Sequence, residues 1–147
     1  MSFLNDLHEC EDLEKQFEEI LKDCLDFQFT HRPPGMFPYF DILGYDSKGR
    51  VTTFEVKYER RWEETGNICF EYLAGKNNGA IFHSTADYIV YYLKNDQFYY
   101  CPTKELQSYL LRCDCKEVKG GDGWTQTLIL VPRKNFKEIF TSIDFYK

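Results

Sequence analysis

The sequence predicts an α+β fold, a central mixed sheet with helices packed against it. Three observations carry this: a long helix-period segment opens the chain, short β-branched and aromatic runs separated by turn residues follow, and a second helix-period segment lies among the later runs. With 147 residues, 43% of them hydrophobic, the chain suits one domain spanning 1–147 around one core. No internal repeat or linker divides it.

From Leu13 onward, Phe17, Ile20, Leu21 and Cys24 recur at helical spacing with charged residues between them, so about Leu4 to Asp23 reads as an amphipathic helix. A short strand, Phe27 to Thr30, stops before Pro33, Pro34 and Gly35. Tyr39 to Tyr45 and Arg50 to Tyr58 read as an antiparallel hairpin, because Asp46, Ser47, Lys48 and Gly49 are good turn chemistry. Ile68 to Leu73 is the next strand, followed by a polar loop from Gly75 to Gly79. Ala86 to Leu93 has contiguous Ile89, Val90, Tyr91 and Tyr92, the pattern of a strand buried on both faces. Gln97 to Cys101 is a further strand. Leu106, Tyr109, Leu110 and Cys113 then recur at helical spacing, with Thr103 as N-cap and Glu105 in the first turn. Gly120 to Gly123 reads as a turn, Thr125 to Val131 as a strand, and the tail from Phe136 as a short helix.

The net charge of -6 argues against a uniformly basic nucleic-acid-binding surface, which needs clustered Lys and Arg. It leaves room for a carboxylate site that holds a cation, with local positive charge from Lys48, Arg50, Lys57, Arg60 and Arg61 or from Arg133, Lys134 and Lys137. No apolar run is long enough for a signal sequence or a membrane span, so a cytoplasmic protein is expected. The six cysteines, with no paired zinc spacing, are then expected to be free thiols, several of them in the core.

The chemistry-bearing segment is Phe54-Glu55-Val56-Lys57. Alternation along a strand sends Phe54 and Val56 to one face and Glu55 and Lys57 to the other, about 7 Å apart. On the preceding strand Asp41 lies between Phe40 and Ile42, an expensive place for a carboxylate without a partner or a cation. Pairing through the Asp46 to Gly49 turn brings Asp41 close to Glu55. Two carboxylates can supply part of the oxygen shell of Mg²⁺ or Mn²⁺, and a lysine alongside can orient or activate a nucleophile near a phosphate.

Asp41 followed by Glu55-Val56-Lys57 resembles the signature of the PD-(D/E)xK nuclease superfamily, an acid at one strand end and acid-x-Lys on the next. The proline that commonly precedes the first acid is replaced by Phe40, with Pro38 nearby. The resemblance implies a restriction-endonuclease-like core and a Mg²⁺- or Mn²⁺-dependent DNA endonuclease in which Asp41 and Glu55 hold the metal and Lys57 completes the catalytic group. In small members similar to the Holliday-junction resolvases an acid on the first helix joins the metal. Glu14, roughly 75° from the centre of the apolar stripe, is the best placed, with a solvated helix charge as the alternative.

The stretches Thr65 to Tyr72 and His83 to Tyr88 look like a pattern in phage-encoded members. They point to Glu71, Ser84 and Thr85 as additional site or substrate contacts, and Arg60 and Arg61, directly after the candidate strand, are placed to contact substrate phosphates, with a solvated loop over Arg60 to Glu64 as the alternative. For Glu71 the alternative is a salt bridge to Lys57 or Arg60, and Asp87 reads as a strand-end hydrogen-bonding residue. Trp62 and Trp124 could stack on a base, although packing is the commoner use of an aromatic at a strand end. The resemblance also implies branched DNA or a recombination or repair intermediate as substrate, and a homodimer. Two rivals remain: a module with this fold that binds nucleic acid or a protein partner without cleaving, and a surface pair at Glu55 and Lys57 of little energetic weight.

Overall fold

The computed structural model describes residues 3–35, 37, 39–74, 77–78, 80–120 and 126–143. In chain order the elements are α1 (Phe3–Asp23), β1 (Phe27–His31), β2 (Ile42–Asp46), β3 (Val51–Glu59), α2 (Trp62–Thr65), β4 (Asn67–Ala74), β5 (Asn77–Asn78), α3 (Ala80–His83), β6 (Tyr88–Leu93), β7 (Phe98–Pro102), α4 (Thr103–Arg112), β8 (Lys116–Gly120), β9 (Gln126–Pro132), α5 (Arg133–Ile139) and β10 (Thr141–Ser142).

The central sheet has six strands in the order β1-β2-β3-β6-β7-β10. It is mixed because β3 and β6 run parallel, Glu55 beside Ile89 and Lys57 beside Tyr91, while its other neighbours are antiparallel. The apolar stripe of α1 dictates how one face is covered: Leu13, Phe17 and Leu21 pack on Ile42, Phe54, Val90 and Phe98. Phe17 meets Phe54 edge to face with ring centroids 5.2 Å apart, a favoured aromatic geometry.

The opposite face carries a feature the sequence did not announce. A four-stranded antiparallel sheet, β5-β4-β9-β8, packs there together with α3, α4 and α5. Ile68, Phe70, Ile129 and Val131 of this sheet join Ile89, Tyr91, Leu93, Tyr99 and Cys101 of the central one. β6 is therefore buried on both faces, which explains its uninterrupted apolar run. Among the described residues none of β1, β2 or β3 belongs to this second core: Lys57 and Glu59 at one end of β3 face the second sheet across a cavity, while Phe29, Tyr45 and Val51 at the other end of the strands are exposed.

Several local expectations are corrected. Trp62 begins a one-turn helix where a solvated loop was expected, and the ring is buried. Its Nε1 donates to the Lys94 carbonyl at 3.0 Å and the Arg133 guanidinium lies 4.1 Å over the ring, so this tryptophan packs and offers no surface for a base. Thr103 is the first helical residue of α4 rather than its cap; Pro102 stands at the cap position with no side-chain bond. The last helix starts at Arg133, three residues earlier than expected. Gly121 to Gly123, Trp124, and Gly75 and Gly79 of the expected polar loop lie outside the described residues, while Asn77–Asn78 of that loop pair with β4. The described structure holds the six cysteines as free thiols, with Cys101 in the core.

Candidate active site

β2 and β3 pair with Ile42 opposite Phe54. One step further, Asp41 falls opposite Glu55 at the point where β2 ends. Its backbone N–H donates to the Phe54 carbonyl at 2.9 Å, and its Oδ2 accepts the Val56 N–H at 2.7 Å. The carboxylate thus satisfies a β3 donor for which β2 has no further carbonyl.

Burial raises the pKa of Asp41, and only partly do the Val56 N–H and the Lys57 ammonium pull it back down. Glu55 is raised for the same first reason, with Lys57 opposing and the Asp41 charge adding to the rise. Lys57 Nζ lies 3.6 Å from Glu55 Oε2, an ion pair longer than a good hydrogen bond. That Oε2 is buried and accepts no hydrogen bond. Glu14 reaches the same neighbourhood from α1: its pKa is raised to about 7 by burial first and by Asp41 second, with Arg32 opposing. Burial therefore disfavours ionisation at all three carboxyls, Asp41 repels Glu14 and Glu55 in turn, and the Lys57 charge opposes the rise at Asp41 and Glu55.

Beyond Glu55 and Lys57, the same face of β3 carries Glu59, which the sequence reading passed over. Burial raises its pKa, and its Oε2 accepts the Cys69 N–H at 3.5 Å. The signal was present as Glu55-x-Lys57-x-Glu59, the period of one strand face. Glu59, Lys57 and Glu71 line a cavity of about 230 Å³ between β3 and the second sheet, with Cys69, Ile81, Tyr91 and Leu128. Glu71 accepts a hydrogen bond from Gln126 Nε2 at 3.0 Å.

The expected substrate contacts are dispersed. Arg60 is drawn toward α1, 3.4 Å from Glu9 and over the Tyr58 ring, and Arg61 pairs with Glu64 at 3.2 Å on an exposed turn. Ser84 is buried with its Oγ accepting the Ala86 N–H at 3.4 Å, which leaves Thr85 as the exposed member of that pair. The Thr85 hydroxyl donates to the Tyr39 carbonyl at 3.3 Å, next to the segment that leads into Asp41. Asp87 accepts both the N–H and the hydroxyl of Thr53 at 2.9 and 3.2 Å, a strand-end clamp.

Among the described residues no three His, Cys, Asp or Glu side chains are drawn together as a finished metal centre. The donor set nevertheless fits a hard divalent cation: oxygen ligands, partly desolvated, Asp41 repelling Glu55, and a buried Glu55 oxygen that accepts no hydrogen bond and has only the longer ion pair to Lys57.

No protein-family model matches the chain, and no curated protein does. Solved structures do, including the two that follow. One is Hjc of Archaeoglobus fulgidus, a Holliday junction resolvase from an archaeal hyperthermophile, at TM-score 0.53 and 12% identity over 95% of this chain and 99% of that one. The other is the bacterial homing endonuclease I-Ssp6803I, at TM-score 0.50 and 18% identity over 92% of this chain and 76% of that one. At such identities the likeness is one of backbone, and it shows that this chain has a restriction-endonuclease-like fold.

Proposed function

We propose that this protein is a divalent-metal-dependent endonuclease that hydrolyses phosphodiester bonds in DNA, working as one domain. The observation that carries the reading is the pairing of β2 with β3, which sets Asp41 opposite Glu55 with Lys57 3.6 Å from Glu55, while burial raises both carboxyl pKa values and Asp41 also raises that of Glu14. Asp41 and Glu55 would hold Mg²⁺ or Mn²⁺, with Glu14 adding a ligand or accepting a proton from a water in the ion's shell. When bound, the cation lowers the pKa of water and offsets charge building on the phosphate. Lys57, 37% exposed and 3.6 Å from Glu55, would supply positive charge beside a scissile phosphate or the attacking water. The fold of the two neighbours supports the same reaction class by analogy. A branched or recombination-type substrate, a homodimer and a cytoplasmic site of action belong to the same reading.

The test is cleavage of supercoiled plasmid and of a four-way branched duplex in Mg²⁺ or Mn²⁺ by wild type, Asp41→Asn, Glu55→Gln and Lys57→Ala. Wild type should cut and the variants should not; equal products from all four would retire the proposal. The net charge of -6 favours a second reading, a nuclease-fold module that binds nucleic acid or a protein partner without cutting. That module would show no rise in Tm with saturating Mn²⁺, whereas a true cation site is stabilised by mass action.

A further inference from the structure

The open face of β1, β2 and β3 carries a row of exposed apolar side chains. Register pairs Phe29 with Tyr45 and Tyr45 with Val51, so the three stand side by side across three strands. They are 60%, 44% and 51% exposed. The alternate positions Ile42, Gly44 and Phe54 face the other way, under α1 and Phe27. The row therefore lies on the side of the sheet that also carries Thr53 and Glu55. Four residues separate Tyr45–Val51 from Asp41–Glu55, about 13 Å along the strands. At the other end of the acid pair, Phe37 and Tyr39 are exposed as well, with ring centroids 5.3 Å apart.

We infer that this row is a stacking platform for unpaired bases of the strand that enters the proposed active site, so that the substrate is nucleic acid carrying unpaired bases near the scissile phosphate. The inference rests on the nuclease reading and narrows its substrate. An intact duplex offers mainly sugar and phosphate to a flat surface, and an apolar row would strip water from those phosphates without replacing it. Unpaired bases offer π faces, which aromatic side chains take up with little regard to sequence. Charge at the end of the row suits a passing backbone: Lys48 is exposed, and Arg50, 69% exposed, pairs with Asp46 at 3.4 Å and leaves the acid neutralised. The nearby acids are engaged, Asp46 by the N–H groups of Lys48 and Arg50 and by the Arg50 guanidinium, Asp26 by the Ser47 hydroxyl. A second copy of the chain seated on the row would stand within one strand length of the acids and crowd their approach.

The test uses the full chain in EDTA, so that nothing is cut, and fluorescent oligonucleotides of one sequence presented as continuous duplex, as a duplex with a short single-stranded gap, and as single strand. Wild type should bind the gapped and single-stranded forms more tightly than the duplex. The Phe29→Ala/Tyr45→Ala double variant should lose about tenfold or more of that affinity and leave duplex binding unchanged, while Tyr45→Phe retains it. A Tm equal to wild type shows that the exposed substitutions leave the fold intact. Absence of wild-type binding, an equal loss on duplex and gapped forms, or no loss at all overturns the platform. So does a wild-type dimer that the double variant converts to monomer with binding unaltered, since the row would then be a protein contact. Cleavage is scored separately: a wild type that never cuts yet shows the gapped preference retires the nuclease and keeps the platform, and the reverse result does the opposite.

Discussion

The two faces of β3 are built from alternating residues of one strand and behave in opposite ways. On one face Phe54 lies between the rings of Phe17 and Phe27 and is 5% exposed, the centre of the packing under α1. On the other, burial raises the carboxyl pKa values of Glu55 and Glu59, opposed by Lys57 at Glu55 and by the Cys69 and Arg61 N–H groups and the Arg61 charge at Glu59. The packed face supplies stability and the charged face consumes some of it. This is the arrangement expected when strained electrostatics at a site are held by a core that a neighbouring element makes rigid.

That contrast can be broken by substitution, and the largest effect should come from the charged face. On the proposed function, Glu55→Gln and Asp41→Asn should lower cleavage at least about a hundredfold, because each removes a carboxylate that would hold the cation. In the absence of divalent cation the same variants should melt above wild type, because a neutral amide escapes the burial cost of a carboxylate; a lower Tm would reverse the assignment of the charged face. On the packed face, Phe54→Ala should cost about 3 to 5 kcal/mol in denaturant unfolding, through lost burial and an unfilled cavity. A smaller loss is expected next door. A Cβ at Gly44 would stand 2.6 Å from the Phe27 ring, so Gly44→Ala should cost about 1 to 3 kcal/mol by overpacking, relieved in the Gly44→Ala/Phe27→Leu double variant.

The smallest effect sharpens the comparison through pH. The folded pKa of Glu14, about 7, lies above its ordinary 4.5, so the stability tied to its protonated form is complete below about pH 4.5 and is lost as pH rises through about 7. Glu14→Gln should therefore gain on wild type over that window. After solvent screening the gain at pH 8 should be about 1 to 2 kcal/mol, and saturating Mn²⁺ should shrink it by stabilising the ionised wild type. Parallel unfolding curves at pH 4.5 and 8 would show that Glu14 is merely solvated.

Much of this was legible in the residues because it is local. The stripe of α1, the hairpin through Asp46 to Gly49 and the placement of Glu55 and Lys57 on one face follow from side-chain period and turn chemistry. β8 was not legible: Lys116-Glu117-Val118-Lys119-Gly120 is short and polar, and it becomes a strand only because β9 lies beside it, Val118 opposite Leu128. For Trp62 packing was the commoner expectation, but its partners, Arg133 and the Lys94 carbonyl, lie far off in sequence and no local pattern names them.

The amino-acid order alone settled which residues carry charge, which face of each helix or strand is apolar, and that Asp41 and Glu55-Val56-Lys57 sit at the ends of a hairpin. Only the tertiary structure decided that β3 runs parallel to β6, that a second sheet closes one side of the core while leaving one end of β1 to β3 open, and that Glu14 comes to the same place as Asp41. The physical reason is that polarity is written residue by residue, whereas desolvation and mutual repulsion depend on which distant segments pack together, and no local pattern encodes that distance.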